Sequence, residues 1–253
     1  MSDERPPVEL RSAQEILAPA TIGEIVFYKV CRAIVVGLSH LVFIGGVIGR
    51  ENIPREGAFI VAPIHRSYID WLITARVSRR RLRYLVKGEV WRIRAMGRLL
   101  ELLGAFPVQR GAADRDALKR ALEVLKAGEP LVVYPEGTRG FGPSVASIRE
   151  GAAYLALRGG VPVLPVGMAG VERAMRRGSI FPRPARVVVA IGTPILTAVE
   201  HRRENEGASR APRSLTASMT EEIRLGIEIA QATAETRAHR HSAKIPPAPD
   251  PLH

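Results

Sequence analysis

The sequence predicts an α/β fold, a mixed sheet flanked by helices, with a membrane-associated helical segment on its N-terminal side. Three observations lead there. Short β-branched runs bounded by glycine or proline recur through the middle of the chain, amphipathic helical patterns separate them, and an apolar stretch without formal charge precedes them.

Residues 1–20 are polar, contain proline and mix acids with bases. This predicts a flexible N-terminus and no signal peptide, which would open on a basic segment and end at a small-residue cleavage site. Residues 21–50 form the membrane-associated segment. Its part at 33–49, "AIVVGLSHLVFIGGVIG", carries no charge outside His40, and its 17 residues lie at the lower edge of what crosses a hydrocarbon core as a helix. Gly37, Gly45, Gly46 and Gly49 weaken a straight helix, so a membrane-embedded or interfacial helix is favoured, ahead of a buried packing helix and of a full span.

Residues 51–236 carry the α/β domain. Strands are predicted at 58–62, 82–86, 131–135, 161–166 and 185–192. Helices are predicted at 89–103, 112–127, 149–158 and 214–236. The second is the best defined, with Leu118, Leu122 and Leu125 on one face, Asp114 and Asp116 near its start and Gly128 beyond its end. Residues 200–213 read as a charged loop, and 237–253 as a disordered tail with little to bury. His239, His241 and His253 in that tail read as solvated rather than as metal ligands, since no carboxylate or cysteine set accompanies them.

Composition bounds the function. The 253 residues are 46% hydrophobic, enough for a substantial core, and carry a formal charge of +12, which calls for an anionic partner. The single cysteine, Cys31, excludes an intramolecular disulfide and suits a reducing compartment. Aromatic residues make up 5% of the chain, with neither zinc-finger spacing nor a stacking motif, so no nucleic acid is expected.

The chemistry concentrates where "AFIVAPI" gives way to "HRSYID" at 65–70. A strand ending near Pro63 delivers His65 to the carboxyl edge of the sheet, where α/β proteins place ligands. Two readings of His65, Ser67 and Asp70 are open. In one, Ser67 caps a helix and Asp70 answers it as the acid of a capping box. In the other, His65 and Asp70 form a proton-transfer pair, which requires a turn before the helix, because five residues of continuous helix would part the two side chains. A second constellation, "YPEGTRG" at 134–140, sets Glu136, Gly137, Thr138 and Arg139 at the end of another strand. Glycine allows close backbone approach there, threonine and arginine can bind phosphate oxygens, and Glu136 can position the arginine or the acceptor; an ordinary strand-to-loop turn held by an internal Glu–Arg pair is the other reading. A third, "FPVQR" at 106–110, ends on Arg110, whose default reading is a surface arginine.

In this order the segments resemble the glycerolipid acyltransferase superfamily. "HRSYID" resembles its H-x4-D motif, "YPEGTR" its E-G-T-R motif, "FPVQR" its intervening arginine motif and "VPVLPV" at 161–166 its proline-containing fourth. The resemblance covers about residues 58–170, and bacterial lysophosphatidate (1-acylglycerol-3-phosphate) acyltransferases are the most similar class. It implies an enzyme of phospholipid biosynthesis that moves an acyl chain from an acyl thioester to a hydroxyl of lysophosphatidate or glycerol 3-phosphate. His65 would be the general base and Asp70 its orienting carboxylate. Arg110, Glu136, Gly137, Thr138, Arg139 and Arg149 would bind substrate. No metal or cofactor is implied, the donor being acyl-coenzyme A or acyl carrier protein, and the location would be the cytoplasmic side of the cell membrane. The absence of a G-x-S-x-G elbow agrees with direct transfer.

The chain departs from the family pattern in two places. Ile64 stands where the family often has asparagine, and "SIREG" at 147–151 has Arg149 in place of a lysine. Residues 76–98 hold nine Lys or Arg residues and one acid, Glu89, a run that would be either a solvated face or a contact with anionic headgroups, coenzyme A or an acidic carrier protein. A noncatalytic peripheral lipid-binding protein is the alternative function, and a basic nucleic-acid-binding protein a less favoured one.

Overall fold

The structure is a computed structural model and describes residues 17–18, 20–108, 114–145, 147–176, 178–179, 181–197 and 213–242. The sequence expectations for residues 1–16, Arg110, most of 200–213 and His253 lie outside the described residues.

The first helix, α1 (Ile22–Val42), starts on a reciprocal cap. Thr21 Oγ1 accepts from Glu24 N–H, and the Glu24 carboxylate accepts from Thr21 N–H. The helix is long and apolar enough to cross a membrane, with a mean hydropathy of 1.7 over its best window. Its apolar side chains point outward. Ile22, Val26, Val30, Ile34, Leu38 and Leu41, three or four residues apart, are each more than half exposed. The opposite face holds the domain: Arg32 donates to Ser78 O at 2.7 Å, and Arg81 lies over the Tyr28 ring.

The apolar run that reads as helix through residue 49 divides at Phe43. Phe43 turns to extended backbone, is buried and bridges to Ala185. Gly45 then passes so close to the neighbouring chain that a Cβ would lie 1.8 Å from Val187 O, and β1 (Val47–Ile48) joins the sheet. The glycines that weaken a helix here serve this backbone approach.

The remaining elements alternate: β2 (Ile60–Pro63), α2 (Asp70–Thr74), β3 (Arg83–Lys87), α3 (Arg94–Leu102), β4 (Ala105–Val108), α4 (Asp114–Lys126), β5 (Leu131–Val132), α5 (Gly151–Gly159), β6 (Val163–Ala169), α6 (Val171–Ala174), β7 (Val188–Ile191) and α7 (Arg213–Ser242). The strands form one sheet in the order β1-β7-β6-β2-β5-β3-β4, parallel throughout except where β7 runs antiparallel to β6. This is the mixed sheet expected. β2 and β6 lie inside it and every residue of both is buried, which explains their unbroken apolar sequences. Pro165 is tolerated in β6 because the ladder to β7 is interrupted there: Val166 pairs with Ile191, but the next bridge is Val163 to Ile195, with one more residue on the β7 side.

Helix α7 extends past the predicted end at 236. Its buried stripe is Met219, Ile223, Ile227, Ala230, Ala234 and Ala238, and the last two alanines pack on Ala169, Val188 and Ala190. Residues 237–242, read from the sequence as tail, are therefore helix. In the basic run, arginines mostly close internal contacts. Arg76 is buried and donates to Gly45 O, Arg80 donates to Gly128 O, Arg81 donates to Glu101 O and Leu102 O, and Arg83 pairs with Glu129.

Candidate active site

β2 ends at Pro63, and an irregular turn carries residues 64–69 over the carboxyl edge before α2 begins at Asp70. The turn folds His65 back on Asp70, with Nδ1 and Oδ2 2.8 Å apart. The same oxygen accepts from Arg66 N–H at 2.6 Å and Ser67 N–H at 2.8 Å. Asp70 is fully buried, and its Oδ1 has no partner among the described residues. A carboxylate fixed by two amide donors accepts the Nδ1 proton, which leaves the lone pair on Nε2 of a ring that is 23% exposed. The capping-box reading is half present: Asp70 reaches back to Ser67 N–H, but Ser67 Oγ donates instead to Met175 O.

Glu136 arrives at the same edge from the end of β5, the parallel neighbour of β2. It is 6% exposed, and its Oε2 accepts from His65 N–H at 3.1 Å and from Arg66 Nη1 at 2.6 Å. Arg66, which the sequence did not mark, also donates to His65 O, Gly142 O and Ser144 O. One guanidinium thereby clamps the 136–144 loop onto the histidine turn, and Gly140 N–H adds a bond to His65 O at 2.9 Å.

The other predicted substrate-binding residues divide. Gly137 has φ +69°, and a Cβ there would meet the Arg149 side chain at 2.9 Å, so the arginine lies across the glycine turn. Arg139 stacks on Tyr68, its guanidinium carbon 3.3 Å from the ring centroid. Thr138 is exposed on the same loop, and Arg110 lies outside the described residues.

Two cavities meet at Tyr68. The larger, about 400 Å³, is overwhelmingly apolar and is lined by Tyr28, Trp71, Leu85, Val90, Leu100 and Tyr134 among others. Tyr134 connects it to the histidine, the two ring centroids being 4.3 Å apart. Burial, and secondarily the Asp70 carboxylate, pushes the Tyr134 phenol well above its ordinary range, so it stays protonated; its hydroxyl lies 3.2 Å from Thr74 Oγ1, which donates to Asp70 O at 2.7 Å. The smaller cavity, about 230 Å³, lies between Ser67, Arg139, Phe141 and Arg176. Neither was visible in the sequence, because their walls come from segments far apart in the chain.

Residues 46–169 match the Acyltransferase family model, and this segment belongs to that family. The chain thus carries an acyltransferase domain, and curated relatives that resemble it share one description. It is 29% identical over 173 residues to the 1-acyl-sn-glycerol-3-phosphate acyltransferase of Bacillus subtilis, covering 66% of this chain and 82% of the relative. The enzyme of that name from Streptococcus pneumoniae is 29% identical over 192 residues, or 73% of this chain and 69% of the relative. The crystal structure of the 1-acyl-sn-glycerophosphate acyltransferase PlsC from Thermotoga maritima matches with a TM-score of 0.65 at 24% identity over 86% of each chain, a likeness of fold.

Proposed function

We propose that this protein transfers an acyl chain from an acyl thioester to the free hydroxyl of 1-acylglycerol-3-phosphate, or of glycerol 3-phosphate, at a membrane surface. The observation that carries the reading is the His65–Asp70 pair, held at the strand edge against an apolar cavity through Tyr134. His65 Nε2 takes the acceptor's proton as the hydroxyl oxygen attacks the thioester carbonyl, and the Asp70 carboxylate stabilises the imidazolium. Collapse of the tetrahedral intermediate forms the ester and breaks the carbon–sulfur bond. The imidazolium returns its proton to the departing thiolate. No covalent enzyme intermediate is required.

The cavity of about 400 Å³ accepts the acyl chain, and the cations of the glycine loop, Arg139 and Arg149, bind the acceptor's phosphate. Glu136 serves this loop from within, as the counter-ion of Arg66 rather than as a direct ligand. The outward apolar stripe of α1 supports attachment to one face of the membrane, and its other face lends Tyr28, Arg32 and Val35 to the wall of the apolar cavity.

The test is product identification by mass spectrometry with purified protein, pairing each donor, acyl-coenzyme A or the acyl thioester of acyl carrier protein, with each acceptor. Phosphatidate from the lysophosphatidate reaction is the expected product. Folded protein that forms no ester in any combination would overturn the proposal.

A further inference from the structure

We propose that a second anion site, two strands away from His65, binds the phosphate of an anionic membrane phospholipid without taking part in catalysis. The proposal rests on the reading that α1 lies at a membrane surface. Arg173, Arg183, Arg186 and His239, together with Arg176 at the border shared with the smaller active-site cavity, line a recess of about 290 Å³ between the end of α6, the approach to β7 and the end of α7. None of the four arginines forms an ion pair among the described residues. Arg186 Nε is closed off from solvent with no hydrogen-bond partner among them. The acids of the adjoining cavity are engaged elsewhere, Glu172 with Gly142 N–H at 3.0 Å and Glu235 with Gln231 Nε2 at 2.9 Å. Like charges gathered in this way repel one another until an anion with several oxygens joins them.

The recess faces the same way as the active site. β6 runs parallel to β2 and ends here, while β7 runs antiparallel and begins here, so the recess shares the sheet edge that carries His65. Two strand spacings put it roughly 10 Å away. The segment entering β7 is tied to the end of α1, with Ala185 N–H donating to Val42 O at 3.3 Å. Phe181, 77% exposed, stands on this loop, and Leu41 and Ile44, 78% and 67% exposed, flank the junction. Cations beside exposed apolar side chains suit a lipid headgroup better than a phosphate free in solution. The basic run at 76–98 offers less, since Arg76, Arg80, Arg81 and Arg83 are committed to internal acceptors.

The experiment is co-sedimentation of the full chain with phosphatidylcholine vesicles, with and without phosphatidylglycerol, at constant ionic strength. The variants are Arg173→Gln/Arg183→Gln and the control pair Arg79→Gln/Arg92→Gln, which removes equal charge from exposed positions. The first pair should lose roughly 30-fold of the affinity gained from the anionic lipid, the worth of two cations at a membrane surface. Its binding to neutral vesicles and its acyl transfer in detergent should be unchanged, and the control pair should behave as wild type. Equal losses in both pairs, or none in either, would overturn the site. Abolition of the anionic-lipid increment by inorganic phosphate at matched ionic strength would assign the recess to free phosphate and overturn the lipid proposal. Failure of wild type to bind neutral vesicles would count against α1 attachment alone and leave the comparison of the arginine pairs intact.

Discussion

Replacing Arg66 with methionine removes the clamp between the two active-site loops. Arg66 and Glu136 side chains are each 2% exposed, and the guanidinium supplies bonds to Glu136, His65 O, Gly142 O and Ser144 O. Removing one partner of such a buried pair leaves an uncompensated charge and costs about 3–5 kcal/mol. For a domain of this size that lowers the thermal midpoint by roughly 6–20 °C. Adding Glu136→Gln removes the stranded charge yet keeps an acceptor for His65 N–H, so the double variant should regain stability, with a coupling of about 1–3 kcal/mol in a double-mutant cycle. Circular dichroism melts of the four proteins in the same detergent measure this. A midpoint for Arg66→Met within about 2 °C of wild type, or additive single effects, would refute the clamp.

Gly140→Ala places a methyl group 2.7 Å from Arg66 Nη1, a side chain pinned too firmly to yield, and should cost about 1–3 kcal/mol in a melt. Gly151→Ala, with nothing within 4 Å, should cost none, and similar losses at both sites would count against the tight packing inferred. Ala75→Phe fills part of the apolar cavity and should cut kcat/KM for long-chain relative to short-chain donors by roughly tenfold or more; an unchanged ratio would place the acyl chain elsewhere. Leu38→Glu with Leu41→Glu breaks the outward stripe of α1 and should weaken binding to neutral vesicles by roughly 10²–10⁴-fold, whereas undiminished sedimentation would detach α1 from the membrane.

The strands were legible because burial on both faces leaves an unbroken apolar record, as in residues 60–63 and 163–169. The end of α7 was not, because Ala234 and Ala238 pack on other small residues and give a weak apolar signal within a run of charges. The division of the 33–49 run was hidden because apolar residues continue through it, and only its contacts with β7 separate helix from strand. In the site, His65 and Asp70 were readable from their spacing and from the strand before them. Arg66 was not, since its side-chain acceptors Glu136, Gly142 and Ser144 lie 70, 76 and 78 residues away. Glu136 was left between an internal arginine pair and the acceptor, because sequence cannot tell a carboxylate turned inward to an arginine from one turned outward to a ligand. The basic composition pointed to an anionic partner only as a class, because an arginine that caps a carbonyl and one left free look alike in a sequence.

The proposed chemistry turns on removal of the acceptor hydroxyl's proton by His65. Its most direct test is the initial rate of phosphatidate formation by wild type and His65→Ala in detergent, normalised to folded protein by near-ultraviolet circular dichroism. General-base catalysis by His65 predicts a loss of roughly 10²–10⁴-fold in kcat with the fold retained. Equal rates in the two proteins would remove His65 from the chemistry and contradict the mechanism.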